Sequence, residues 1–354
     1  MKSFSIGRQK ISEESPPLII AEVSANHGGS IDRAKHIISL AKDSGADAVK
    51  IQSYEPQTLT MDSNREDFLI KEGLWKGRTL YDLYSEAYTP FDWHRDLFDY
   101  AREINITLFS SPFDETSIDL LEELDTPAYK IASFELCDLK LIARAAQTKK
   151  PLLMSTGLSS ISEIEDAVST ARDFGADEIL LFHCISSYPA EAKDSCLNNI
   201  SFLKEKFNVL VGLSDHTIDN TASIASTVLG VSSIEKHFID SRECGGVDST
   251  FSIEPNELTR LKKVTYDAWS SVQKDGFIRP QCENENVKFK RSIYFSRDLN
   301  VGDLIDKNCI RIVRPGFGLP PKYFDQIIGR KVSKQVYFGQ KTSWDCFEEE
   351  NIII

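Results

Sequence analysis

At 354 residues, with 41% apolar and 27% charged residues, the chain has the composition of a soluble globular protein, long enough for a barrel of about 250 residues and a small domain of about 60. A formal charge of -13 argues against nucleic acid or an anionic membrane as partner, so an anionic substrate needs a local cationic site. Seven scattered cysteines form no CxxC pair, which excludes a disulfide framework or zinc knuckle and points to a reducing cytoplasm.

Residues 1–9 lack the apolar core of a signal peptide, and no later run approaches the about 18 apolar residues of a membrane span. In chain order, short apolar runs then recur at 18–23, 48–51, 107–110, 128–132, 152–155, 178–183, 209–213 and 233–236. Most are continuous rather than alternating, as expected of parallel strands covered on both faces. Helical patterns lie between them, among them 31–44, 92–104, 161–174 and 220–229, several closed by Gly or Asn. Eight strands each followed by a helix is the count of a (β/α)8 TIM barrel. An open doubly wound sheet is the alternative, but no Gly-rich dinucleotide fingerprint follows the first run.

The link 53–90 breaks the rhythm, being far longer than a usual βα connection. It carries Gly73-Leu74-Trp75-Lys76-Gly77 and Leu80-Tyr81-Asp82-Leu83-Tyr84. Such a loop reads as a lid or specificity element, or more plainly as a surface excursion whose aromatics pack on the barrel. After a helix at 257–272, the polar stretch 274–288 reads as a linker. Short β-like runs follow at 292–295, 310–313 and 331–332, with turns at Gly302, Gly329 and Gly339. The expected organisation is a barrel domain over 1–273, the linker, and a small β-rich domain over 289–354.

Barrel chemistry gathers where strands end. Those ends hold Glu22, Lys50, Gln52, Ser111, Lys130, Ser133, Glu135, Ser155, Ser186 and Tyr188, and then two histidines. Lysines among hydroxyls suit a phosphorylated, carboxylated ligand. Glu22, Lys50 and Lys130 interrupt apolar runs, so each should face a polar cavity and be paired there. The histidines close Gly212-Leu213-Ser214-Asp215-His216-Thr217 and Ile234-Glu235-Lys236-His237-Phe238. Two imidazoles delivered to one rim can hold one metal ion, where a lone histidine is more simply a satisfied rim residue.

Taken together with Ile20-Ala21-Glu22, Asn26-His27-Gly28-Gly29, Val49-Lys50-Ile51-Gln52, Ser111-Pro112-Phe113-Asp114, Tyr129-Lys130-Ile131-Ala132-Ser133 and Ser155-Thr156-Gly157, these two segments resemble the sialic acid synthase family across essentially the whole chain. Members condense phosphoenolpyruvate with an N-acetylated amino sugar. The resemblance implies Mn²⁺ or Mg²⁺ at His216 and His237, and catalytic work at Glu22, Lys130 and Glu135. It sets phosphoenolpyruvate against Lys50, Ser111, Lys130, Ser133, Ser155, Ser186 and Ser214, although Ser186 stands where many relatives carry Asn and Ser111 where Thr is common. It gives Gln52, Tyr188 and Asp248 to the sugar.

The segment from Asp303-Leu304-Ile305 to Arg314-Pro315-Gly316 resembles the antifreeze-like (SAF) domain appended to these synthases. In the family that domain crosses to the partner of a homodimer, which implies that Arg314 reaches the sugar there. The long second loop is similar to the pseudaminic acid synthase branch, which takes 2,4-diacetamido-2,4,6-trideoxy-altrose. N-acetylneuraminate and legionaminate synthases are the alternatives within the family, and a non-catalytic sugar-binding scaffold is the alternative outside it.

Overall fold

The computed structural model describes residues 2–274 and 276–348. The chain divides into two compact units, Met1–Gln273 and Lys274–Ile354. The first opens with a hairpin, β1 (Ser3–Ile6) and β2 (Gln9–Ser12), paired so that Ile6 faces Gln9 across a two-residue turn. Gly7 takes φ +57°, the left-handed value that the tight turn requires. The sequence reading did not find this hairpin, because strands of four residues carry almost no periodicity.

Eight parallel strands then close a barrel, in the order β10-β3-β4-β5-β6-β7-β8-β9. They are β3 (Leu18–Glu22), β4 (Ala48–Ser53), β5 (Thr107–Pro112), β6 (Tyr129–Ile131), β7 (Leu152–Ser155), β8 (Ile179–Cys184), β9 (Leu210–Ser214) and β10 (Ser233–His237). Every expected strand is present, and the open-sheet alternative is excluded by closure of β10 on β3.

Both faces of these strands are dry, which is why their sequences do not alternate. Outward positions such as Ile19, Ala21, Val49, Ile51, Leu108 and Met154 pack under the helix ring. Inward positions Leu18, Ile20, Ala48, Phe109, Leu153, Leu180, Phe182 and Leu210 fill the barrel, and Phe4, Ile6 and Ile11 of the hairpin plug its lower end. Gly212 is required inside, since a Cβ there would stand 2.6 Å from the Phe182 ring and 2.8 Å from the Ser233 carbonyl. The last helix of the barrel unit begins at Pro255, two residues before the expected start, because Glu254 and Glu257 form a capping box around a Pro at the first turn.

The second unit has its own core of Ile293, Phe295, Leu299, Ile305, Cys309, Ile310, Val332 and Phe347. Strand β11 (Ser292–Phe295) pairs antiparallel with β12 (Ile310–Val313). The stretch read as a linker is not featureless: Gln281–Phe289 is a 3-10 helical run with no buried residue.

Candidate active site

The parity that packs the barrel also builds its floor. Side chains two apart on a strand share a face, so the inward column that begins with Leu18, Ile20 and Ala48 continues upward as Glu22, Lys50 and Gln52. The same parity brings Ser111, Lys130, Ser155, Cys184, Ser214, Glu235 and His237 inward from the other strands. Register aligns them, with Glu22 opposite both Lys50 and His237, and Ser214 opposite Glu235.

Four buried charges form one network. Lys50 Nζ lies 2.8 Å from Glu22 Oε2 and 3.5 Å from Glu235 Oε1, and it donates to Ser111 Oγ at 3.1 Å. Lys130 Nζ lies 3.4 Å from both Glu235 oxygens and 4.8 Å from the centre of the Phe182 ring. Ser214 Oγ donates to Glu235 at 3.3 Å, and Gln52 Nε2 to Glu22 at 3.1 Å and to Ser24 Oγ at 2.9 Å. Two ammonium groups face two carboxylates, which is what lets four charges survive out of water.

The environments of these groups differ. Burial raises the Glu22 carboxyl above the ordinary range despite Lys50. Burial also acts to raise Glu235, but Lys130 and Lys50 outweigh it and hold that carboxyl low. Burial depresses Lys130, whereas in Lys50 the opposing pull of Glu22 and Glu235 wins and its ammonium is held up.

Above the floor, His216 donates from Nδ1 to the Ile185 carbonyl at 2.8 Å, an acceptor that fixes this tautomer and leaves Nε2 its lone pair. The His237 ring centre lies 5.5 Å away. His237 Nδ1 is buried and makes no hydrogen bond among the described residues; Asp248 Oδ2 lies 3.7 Å from it. Burial drives both imidazoles below their ordinary pKa, so both offer neutral nitrogens. Among the described residues no group of three or more His, Cys, Asp or Glu side chains is arranged to hold a metal ion. Two imidazoles, one with an unused buried nitrogen, are the donors the chain itself offers to a cation.

Ser133 and Ser186 share a hydrogen bond of 2.8 Å between their hydroxyls. Gly157 makes room for that pair, since a Cβ there would collide with the Ser186 hydroxyl and stand 2.7 Å from Cys184 Sγ. The cavity above has a volume of about 600 Å³. It is lined by Lys50, Gln52, Lys130, Ser133, Glu135, Ser155, Ser186, Tyr188, Ser214, His216, His237 and Asp248, which brings most of the expected residues to one place. Glu22 and Ser111 stand beneath it, touching Lys50 rather than the open space. Arg314 belongs to the second unit and is exposed just past β12.

The 53–90 link contributes side chains to the wall of this cavity. Its Tyr54, Leu74, Trp75, Leu83, Tyr84 and Ala87 line the wall, together with Phe113. Trp75 Nε1 donates to the Val247 carbonyl at 3.0 Å, and its ring centre lies 6.2 Å from that of Tyr188. Both ends of the link are pinned by buried histidines. His94 accepts from Ser53 Oγ at 2.7 Å and donates to the Pro90 carbonyl at 3.0 Å, while His27 Nε2 meets Thr89 Oγ1 at 3.3 Å. Burial lowers both to about 4, so these pins are neutral over the physiological range.

Sequence reasoning gave no role to Glu235, although its signal was available: a carboxylate two residues before His237 shares that histidine's face. The wall formed by Tyr54 and Phe113 had no comparable signal. Glu135 carries a prediction. Burial pushes its carboxyl up to about 7. A carboxyl raised in the folded state contributes stability at low pH that is lost as pH rises through the folded value. Glu135→Gln should therefore flatten the fall in stability between about 4.5 and 7, and should remove any limb of the pH–rate profile near neutrality. Thermal melts and steady-state rates across pH check both.

Charge-paired lysines beneath an apolar-walled barrel mouth define a TIM-barrel enzyme acting on a small anionic substrate. The NeuB family profile matches residues 37–275, and a SAF domain profile matches 290–348. The chain is 40% identical over 334 residues to a pseudaminic acid synthase of Helicobacter pylori, covering 94% of this chain and 98% of that protein. It is 32% identical over 336 residues to an N,N'-diacetyllegionaminic acid synthase of Legionella pneumophila, covering 93% and 94%. The crystal structure of an N-acetylneuraminic acid synthetase of Leptospira borgpetersenii in complex with citrate superposes with a TM-score of 0.72 at 30% identity, covering 81% of this chain and 96% of that one. The chain belongs to the NeuB family.

Proposed function

We propose that the protein is a transferase that condenses phosphoenolpyruvate, 2,4-diacetamido-2,4,6-trideoxy-altrose and water into pseudaminic acid and phosphate. The observation that carries this reading is one cavity with two chemistries: a floor of lysines and serines, and a wall of Leu74, Trp75, Leu83, Tyr84 and Phe113. The floor suits an anion bearing phosphate and carboxylate. The wall suits a sugar with a 6-methyl group, where a hydroxyl would be stranded. The likeness to the Helicobacter pylori synthase supports the same choice.

Lys50 and Lys130 would hold the phosphate and carboxylate and offset their mutual repulsion, with Ser133, Ser155, Ser186 and Ser214 donating hydrogen bonds. Ser111 acts through Lys50, which it touches. Carbon–carbon bond formation between the enol carbon and the sugar aldehyde leaves positive charge at C2, which water captures before phosphate departs by C–O cleavage. Glu22, whose carboxyl is raised, can hold a proton at the floor beside Lys50. Glu135 can orient or protonate the sugar end. Gln52, Tyr188 and Asp248 would bind its polar groups, and Arg314 would reach it within a homodimer that exchanges SAF domains. A divalent cation, Mn²⁺ or Mg²⁺, held by His216 and His237 would supply Lewis-acid polarisation of the aldehyde oxygen. No helix among the described residues is long and apolar enough to cross a membrane. Seven unpaired cysteines support placement in the cytoplasm.

Phosphate release from phosphoenolpyruvate with Mn²⁺ tests the reading. Release is expected with the diacetamido-trideoxy-altrose and not with N-acetylmannosamine. The reverse result would keep the chemistry and overturn the role given to the wall.

A further inference from the structure

We propose that Lys236 and Asp215 are positioning residues: they lock the loop bearing His216 to strand β10, which bears His237, and so set the two imidazoles at the separation that one shared cation needs. The inference rests on the assignment of a divalent cation to those histidines.

Lys236 stands between Glu235 and His237 but has the opposite parity, on the outward face of the strand. The neighbouring outward positions there, Ile234 and Ala21, are apolar. Its side chain is nevertheless buried, at 1% exposure. An ammonium has three donors and no acceptor, and burial is tolerated only when all three are used. Here they are used on a single loop: Asp215 Oδ2 at 2.9 Å, the Thr217 carbonyl at 2.7 Å and the Asp219 carbonyl at 2.9 Å.

Asp215 is itself saturated. Its Oδ1 accepts from Thr217 N at 2.9 Å and from Thr217 Oγ1 at 2.7 Å, and its Oδ2 also accepts from Ser223 Oγ at 2.5 Å. The backbone repeats the link, with Asp215 N donating to the Glu235 carbonyl at 2.8 Å. His216 therefore sits between two residues that are both gripped by one ammonium. That ammonium is carried by the residue immediately before His237.

A buried ion pair is a weak source of stability compared with apolar residues of similar volume, because desolvation consumes most of its attraction. Its use here is directional. Apolar packing would fill the space but would not fix three oxygens of a five-residue turn around one point. The His216 ring is held separately by the Ile185 carbonyl that sets its tautomer.

The test is the Mn²⁺ dissociation constant of the full chain, measured by titration calorimetry or by loss of the free-ion resonance signal. The proteins compared are wild type, Lys236→Met, Asp215→Asn and His237→Ala, each with its thermal midpoint. Asp215→Asn keeps the size and one acceptor of the native side chain and is the variant that decides the matter if Lys236→Met does not fold. Both substitutions at the lock should weaken Mn²⁺ by about 10–100-fold, the range found when groups that orient metal ligands are removed. The KM for phosphoenolpyruvate should stay within about 2-fold, because the lysine–serine floor is untouched. A folded Asp215→Asn protein with wild-type Mn²⁺ affinity, whatever its thermal midpoint, would overturn the proposal and leave a structural ion pair. A His237→Ala protein that binds Mn²⁺ as tightly as wild type would instead overturn the metal assignment, and the proposal with it.

Discussion

Lys130→Met is expected to lower kcat/KM for phosphoenolpyruvate by about 10³-fold while leaving the protein folded. Lys130 lies at the cavity floor with 2% of its side chain exposed, facing Glu235. A unit charge about 4 Å from an anion near a protein surface is worth about 4 kcal/mol, and each 1.36 kcal/mol is tenfold in rate. The stability cost should stay below the about 3–5 kcal/mol of a fully orphaned buried charge, because Glu235 keeps Lys50 at 3.5 Å and Ser214 at 3.3 Å. Initial rates at varied phosphoenolpyruvate, with a denaturant titration alongside, separate the two effects. A KM for phosphoenolpyruvate unchanged in the variant would remove Lys130 from the anion site.

His237→Ala should lower turnover at saturating Mn²⁺ by at least about 10²-fold, as expected when several kcal/mol of electrophilic stabilisation are lost. Its effect on folding should be small by comparison. Among the described residues the His237 Nδ1 atom makes no hydrogen bond, so removing that atom strands no partner. What is lost is packing against Phe251 and Tyr188, at ring separations of 4.9 Å and 6.2 Å. A cost of about 1–2 kcal/mol corresponds to a fall of roughly 2–8 °C in the melting midpoint for a unit of this size. Turnover equal to wild type would withdraw the imidazole pair from the chemistry.

Much of this protein is legible in its sequence alone. Eight buried runs separated by helical patterns specify a closed parallel barrel, because strands sheathed on both faces have no reason to alternate. Charged residues interrupting those runs mark the site, since a lysine or glutamate inside an apolar strand needs a partner and a cavity. Lys50, Lys130 and Glu22 were visible for that reason, and they do meet in one network.

Other features depend on which strands become neighbours. Glu235 belongs to the site only because β10 closes against β9 and β3, which brings its carboxylate between Lys50 and Lys130. The terminal hairpin was invisible because its few apolar side chains have meaning only as a plug for a barrel end made by other segments. The wall of the cavity likewise joins Trp75 to Val247 and Tyr188 across long stretches of chain. Local pattern records burial and spacing along one strand or helix, and it determined the architecture and the charged floor. Partner choice between distant segments is a property of the closed fold, and only the tertiary structure decided which carboxylate bridges the lysines and which aromatic side chains face the substrate cavity.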